Sequence, residues 1–238
     1  MKAIPGNVSN SAMADGAANE IAERLQKIQR RIPQDVRLVA VTKTFPANIV
    51  RAAYAAGIRE FAENKVQEAL AKQQSLKDLT GVSWHFIGHV QSNKSRKVLE
   101  NFDWIHSVDS LRLAQRLNQQ AAELDRVPAC CLQVKLVPDP TKAGFTLDEL
   151  MATLPELDQL DRLNIVGLMV IPPYGLPPER SQEIFDQARL LAAEIGQMGL
   201  SNIQMKELSM GMSGDFEAAI AAGATLVRIG SGLFGQRR

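Results

Sequence analysis

The chain has 238 residues, of which 45% are hydrophobic and 22% are charged, as in an ordinary globular protein. Its 27 basic and 26 acidic residues leave a net charge of +1, so no strong attraction to nucleic acid or to an anionic membrane is expected. No apolar run approaches the roughly 20 residues of a membrane span. The adjacent Cys130 and Cys131 are poor disulfide partners, which predicts buried thiols and a cytoplasmic protein.

The first 18 residues are rich in alanine, asparagine, serine and glycine, and they are interpreted as a flexible leader rather than a signal peptide. One domain is predicted over residues 19–238. It opens with a helix at 18–31, where apolar residues recur at helical spacing until Pro33 follows. The strand at 37–42 comes next, and its continuous apolar run is typical of a strand buried on both faces.

Seven further short strands alternate with helices along the rest of the chain. Strands are predicted at 58–62, 82–88, 104–108, 129–137, 165–171, 204–208 and 225–229, and helices at 47–56, 64–76, 92–102, 109–124, 147–157, 180–198 and 214–222. No hairpin signal joins two strands, and the length is close to the roughly 250 residues of a (β/α)8 barrel. A doubly wound open sheet is the alternative, but its Gly-x-Gly-x-x-Gly turn is absent from the sequence. The prediction is a single α/β domain, a (β/α)8 TIM barrel with an extra N-terminal helix.

Lys43 directly follows the first strand, at the end where α/β folds place their chemistry. A lysine at a dry strand end is costly unless it is paired, neutral or used covalently. From this stretch alone, a lysine that reaches a carboxylate at the strand tip is the more ordinary interpretation. Polar clusters follow most of the other strands as well, and in a barrel these ends meet at one mouth.

The last two polar clusters predict a phosphate site. Barrels often bind phosphate with the loops after strands 7 and 8 and a nearby helix N-terminus. Ser213 is expected to cap a helix that begins at Gly214, where N–H groups and the helix dipole favour an anion. Gly230 and Gly232 allow the backbone to approach closely from the other side. The alternative is that the serine only caps and the glycines only turn the chain.

A reactive lysine and a phosphate site that face one cavity suit pyridoxal 5′-phosphate (PLP), whose aldehyde condenses with an amine. Arg228 ends the last strand beside the predicted phosphate site. Because arginine only donates hydrogen bonds, an Arg228 that faces the pyridine nitrogen would keep it unprotonated and restrain carbanion chemistry. Its charge should also lower the pKa of a nearby lysine, which would help Lys43 to act as a nucleophile.

Several runs of residues resemble the YggS/PROSC family of pyridoxal phosphate homeostasis proteins, over about residues 20 to 237. They are AVTK at 40–43, ENKVQE at 63–68, WHFIG at 84–88, QSNK at 91–94, GLM at 167–169, LSMGMSGD at 208–215, VRIG at 227–230 and FG at 234–235. The resemblance implies a fold type III PLP-binding barrel, like the N-terminal domain of bacterial alanine racemase. It also implies that Lys43 carries the cofactor as an internal aldimine.

The resemblance implies roles for the other site residues by motif position. Ser213 and backbone N–H groups near Ile229 and Gly230 would hold the phosphate, and Ser209 and Met210 would line the same end of the site. Arg228 would face the pyridine nitrogen. Asn64 would lie near the polar edge of the ring.

Three functions are compatible with such a site. The favoured one is a non-catalytic carrier that buffers PLP and delivers it, with apo-PLP enzymes or a regulatory protein as candidate partners. Racemases of this fold take a second base, a tyrosine, from an added β-domain across a dimer, and neither Tyr54 nor Tyr174 lies in a matching motif. The family resemblance implies a monomer, since the β-domain that forms the usual dimer surface is missing. A racemase-like enzyme with Lys43 as its only base is the alternative. A cofactor-independent Schiff-base aldolase fits the same physics, but the family motifs argue against it.

Overall fold

Eight parallel strands form a closed barrel in chain order in the computed structural model, which describes residues 8–139 and 141–236. The strands are β1 Arg37–Val41, β2 Glu60–Glu63, β3 Ser83–Phe86, β4 Trp104–Val108, β5 Ala129–Gln133, β6 Asn164–Met169, β7 Ile203–Met212 and β8 Leu226–Ile229. The helices are α1 Val8–Gln29, α2 Ala47–Ala55, α3 Val66–Ser75, α4 Ser95–Asn101, α5 Leu111–Glu123, α6 Leu147–Leu157, α7 Pro178–Gly196, α8 Phe216–Ala221 and α9 Ser231–Phe234. The predicted (β/α)8 barrel with an extra N-terminal helix is confirmed.

Alternate residues of each strand point to opposite sides, which gives the barrel an interior and an outer core. Val39 and Val41 of β1 pack with Ala62 and Leu226 in a small cluster, which the alternation places inside the barrel. Ala40, between the two valines, belongs to the large cluster between the strands and the helices. The outer core therefore holds the helices in place, while the interior positions lead to the mouth.

Two elements extend four residues or more beyond their predicted bounds. Helix α1 takes in residues 8–18, which the sequence assigned to the flexible leader, whereas residues 1–7 lie outside the described part. Alanines at 12, 14, 17 and 18 explain the longer helix, because alanine is the strongest helix former. Strand β7 continues through Ser209–Met212, which was predicted as a loop.

The end of β7 depends on a glycine. Gly211 has a φ of +89°, and a Cβ atom there would lie 2.6 Å from Cβ of Ala219 in α8. The pairing register of β7 with β8 shifts between Ser209 and Met212. The strand thus passes under α8 with a local kink that only glycine accommodates easily. None of the described helices is both long and apolar enough to cross a membrane.

Candidate functional site at the carboxyl end of the barrel

Lys43 lies in a tight turn at the carboxyl end of β1. The N–H group of Phe45 donates to the Thr42 carbonyl oxygen at 3.0 Å and closes the turn around Lys43 and Thr44. Thr44 has a φ of +71°, a left-handed conformation that is rare for a β-branched residue. Lys43 itself is half-buried. Lys43 therefore lies in a turn between β1 and helix α2 and belongs to neither element.

Ser213 joins the loops that follow β7 and β8. Its Oγ atom accepts hydrogen bonds from the N–H groups of Gly230 at 3.3 Å and Gly232 at 3.1 Å. Two N–H groups that converge on one oxygen form a donor arrangement suited to a phosphate oxygen. The residues present therefore fit the phosphate end of the expected cofactor.

The prediction that Ser213 caps a helix beginning at Gly214 is wrong. Helix α8 begins at Phe216, and its N-cap residue is Asp215. The Asp215 carboxylate accepts the N–H group of Met212 at 2.6 Å and closes the turn that contains Ser213. Because Asp215 holds this turn, the Ser213 hydroxyl is available to the glycines of the neighbouring loop.

Arg228 is buried at the base of the mouth, with 3% of its surface exposed. Its guanidinium donates from Nη1 to Ser209 Oγ at 2.6 Å and from Nη2 to the Val170 carbonyl oxygen at 3.1 Å. Burial lowers the pKa of Arg228 to about 10, so it stays charged at neutral pH. Among the described residues, no carboxylate forms an ion pair with it. A buried cation held only by neutral acceptors suits a site for an anionic or lone-pair-bearing ligand.

Asn64 follows β2 and meets the end of β3. A Cβ atom on Gly88 would lie 2.1 Å from the Asn64 carbonyl oxygen, so only glycine allows the two loops to touch. The side chains of Met210 and Ile229 are 1% and 0% exposed in the outer core. Both residues therefore belong to the packing between strands and helices.

A chain of buried polar side chains runs from Ser209 through the barrel interior. His106 Nδ1 lies 2.7 Å from Ser209 Oγ, and His106 Nε2 lies 2.9 Å from Nδ1 of His85. Nε2 of His85 lies 3.0 Å from Oε2 of Glu60, although the angle falls outside the hydrogen-bond range. Both histidines are fully buried.

The two ends of this chain favour one direction for its hydrogen bonds. Arg228 only donates to Ser209, and the carboxylate of Glu60 only accepts. In the tautomers assigned on this basis, the Ser209 hydroxyl donates to His106 Nδ1, and His106 donates from Nε2 to His85 Nδ1. The Nε2 proton of His85 then faces Glu60. Both imidazoles are neutral in this arrangement, and each ring nitrogen has one defined role.

The chain is similar to proteins of one family over nearly its whole length. A sequence profile described as "Alanine racemase, N-terminal domain" matches residues 17–238. The pyridoxal phosphate homeostasis protein of Synechocystis sp. is 52% identical over 206 residues, which cover 87% of this chain and 94% of that protein. The Escherichia coli K12 protein of the same name is 41% identical over 232 residues, which cover 92% and 97%. The chain belongs to the family of pyridoxal phosphate homeostasis proteins.

Solved structures of this family have the same barrel. PipY of Synechococcus elongatus with PLP bound matches with a TM-score of 0.87 and 53% identity, over 90% of this chain and 100% of that one. Alanine racemase of Clostridium difficile matches with a TM-score of 0.74 at 16% identity, over 57% of its own chain, and shares the fold. The resemblance inferred from the motifs is thereby confirmed at the level of the family.

The family motifs assigned no role to Glu60, His85 or His106, although His85 lies within the WHFIG run at 84–88. These three residues occupy interior positions of the neighbouring strands β2, β3 and β4, where apolar side chains are expected. Polar residues at interior positions of adjacent strands are the signal that could have revealed them. Their contact could not be read from spacing, because it depends on the pairing register.

Acid should destabilise the protein through these histidines. Burial lowers the pKa of His85 and holds that of His106 well below its usual value. The unfolded chain binds a proton on each near pH 6.5, so lowering the pH favours unfolding by up to about 1.4 kcal/mol per pH unit for each histidine. Urea denaturation between about pH 7.5 and about pH 5.5 should show a shallower pH dependence for His106→Asn than for the wild type. His89→Asn is the control, because that side chain is 63% exposed, and an unchanged slope in His106→Asn would contradict the assignment.

Proposed function

We propose that this protein binds PLP in the barrel mouth, with Lys43 as the covalent attachment residue, and that it stores and delivers the cofactor in the cytoplasm. Bound PLP supplies an aldehyde that condenses with a lysine amine. The observation that carries the proposal is the buried, charged Arg228, which has no ion-pair partner among the described residues and lies at the base of the mouth. Residues 19–238 form the binding domain in this proposal.

Each site residue has a defined task in this proposal. The phosphate is bound by the Ser213 hydroxyl and by the N–H groups of Gly230 and Gly232, which donate to Ser213 Oγ in the structure. Arg228, oriented by Ser209, donates to the ring nitrogen and leaves it unprotonated. An unprotonated pyridine ring withdraws electron density less strongly and stabilises a carbanion less well, so this arginine favours storage over carbanion chemistry.

The two tyrosines support a carrier rather than a racemase. A racemase needs a second acid–base group opposite the lysine. The Tyr54 hydroxyl donates to the Thr80 carbonyl oxygen at 2.9 Å, outside the mouth. The Tyr174 side chain is fully exposed in the loop before α7, where it borders the groove beside Ser213. Nothing buries or orients this phenol as a catalytic base would require.

A transfer experiment tests the proposal. Protein loaded with PLP is dialysed and mixed with an apo-PLP enzyme in the presence of a phosphatase that destroys free PLP. Direct delivery predicts that the acceptor gains activity while the visible absorption of the donor falls. The same preparation is assayed for racemisation of a panel of amino acids.

The outcomes of this experiment are distinct. A protein that remains colourless after incubation with PLP would refute cofactor binding. Acceptor activation that disappears with the phosphatase would refute direct delivery. Sustained racemisation would establish the enzyme alternative, and size-exclusion chromatography with light scattering tests the monomer that we also propose.

A further inference from the structure

A buried cluster of charged side chains lies behind Lys43, on the outer side of the barrel. Nζ of Lys72 in α3 donates to Oε1 of Glu63 at 2.7 Å and to Oε1 of Glu68 at 2.8 Å. The side chains of Lys72 and Glu63 are 7% and 0% exposed. Taking such groups out of water is costly, so the cluster calls for an explanation beyond ordinary packing.

The cluster binds the two peptide groups that flank Lys43. Lys72 Nζ also donates to the Thr42 carbonyl oxygen at 2.7 Å. Glu68 Oε1 accepts the N–H group of Thr44 at 2.5 Å. The ion pair between the buried Lys72 and the partly exposed Glu68 therefore holds the main chain immediately before and immediately after Lys43.

The grip coincides with a strained backbone. Thr44 has a φ of +71°, and a β-branched residue keeps such a conformation only where its surroundings impose it. The hydrogen bond from its N–H group to the Glu68 carboxylate is charge-assisted and therefore strong. Glu68 thus offsets the strain at Thr44 and holds the turn that carries Lys43.

We propose that Glu68 and Lys72 are positioning residues that orient the main chain of Lys43 for attachment of the cofactor. Strand alternation places Thr42 on the outer side, where its hydroxyl donates to Glu63 at 2.6 Å. Lys43 follows it on the opposite side, where the interior positions lead to the mouth. The inference rests on the proposed function of Lys43. The contacts of Glu68 and Lys72 with the main chain on either side of Lys43, here called the clamp, exist without a ligand.

The test combines Glu68→Asp, which weakens the contact with the Thr44 N–H group, with Thr44→Gly, which removes the backbone strain of the turn. Glu68→Asp keeps the charge but shortens the side chain, so the carboxylate no longer reaches the Thr44 N–H group. We expect the rate of PLP attachment, monitored by visible absorption, to fall by about tenfold, because a small misplacement of a reacting group slows its reaction strongly. In the apo protein, NMR should show faster hydrogen exchange at the Thr44 amide.

Thr44→Gly provides the rescue, since glycine adopts a positive φ without strain. The double variant Glu68→Asp/Thr44→Gly should recover most of the attachment rate, which a merely structural role of Glu68 would not predict. Glu156→Asp is the matched control, because that carboxylate is exposed on α6.

Three results would overturn the inference or the function on which it rests. Unchanged attachment and unchanged Thr44 exchange in Glu68→Asp would eliminate the clamp. A slow Glu68→Asp variant that Thr44→Gly does not rescue would assign Glu68 to stability alone. Failure of the wild type to attach PLP would refute the proposed function, while the exchange measurement in the apo protein would still decide whether the clamp exists.

Discussion

Replacing Lys43 with alanine is expected to abolish covalent retention of PLP. The phosphate and ring contacts proposed for Ser213, Gly230 and Arg228 should remain, so we expect the variant to bind the cofactor reversibly and to lose it on dialysis. The visible absorption of the loaded protein should therefore disappear after dialysis in the variant and persist in the wild type. Lys97→Ala is the control, because Lys97 is exposed on α4.

Borohydride reduction followed by peptide mass spectrometry locates the attachment directly. The added mass should lie on the peptide that contains Lys43. A stable adduct on another lysine, such as Lys142, would contradict the assignment. Lys142 is tied to the carbonyl oxygens of Ile171 at 3.2 Å and Pro172 at 2.5 Å, which already occupy its amine.

Replacing Lys72 with methionine should reduce the free energy of unfolding by about 3–5 kcal/mol, because it leaves the buried Glu63 carboxylate without its cation. Burial already raises the pKa of Glu63, and Lys72 and Thr42 oppose this rise by their hydrogen bonds. A group whose pKa is raised by folding becomes less destabilising as the pH falls. The loss relative to the wild type, measured by urea denaturation, should therefore shrink in acid.

A double variant separates the lost cation from the lost side chain. Lys72→Met/Glu63→Gln removes the unpaired charge, while the amide oxygen still accepts from Thr42. It should recover most of the lost free energy, since replacing both partners of a buried pair is often nearly neutral. Losses that simply add would show that the two side chains do not interact.

Local sequence signals were most accurate where the chemistry of a position is local. The Ser110 hydroxyl accepts the N–H group of Leu113 at 3.3 Å and caps the helix that follows β4, and the aspartate and serine at 109–110 are the local signal for such a cap. The free, buried state of Cys130 and Cys131 followed from their adjacency inside an apolar run. Ser213 shows the limit, because its motif predicted an anion site but not that Asp215 would take the N-cap position of α8.

The sequence by itself determined the barrel and the strand-end positions of Lys43 and Arg228, because alternating apolar strands and helices encode both along the chain. Only the tertiary structure decided which polar groups meet. His106 contacts Ser209 across 103 residues, and Lys72 grips Thr42 across 30. Barrel closure and strand register determine these contacts, and they cannot be predicted from the spacing of the residues along the chain. The role proposed for Lys43 therefore depends on a strand end that the sequence predicts and on contacts of Glu68 and Lys72 that only the folded chain assembles.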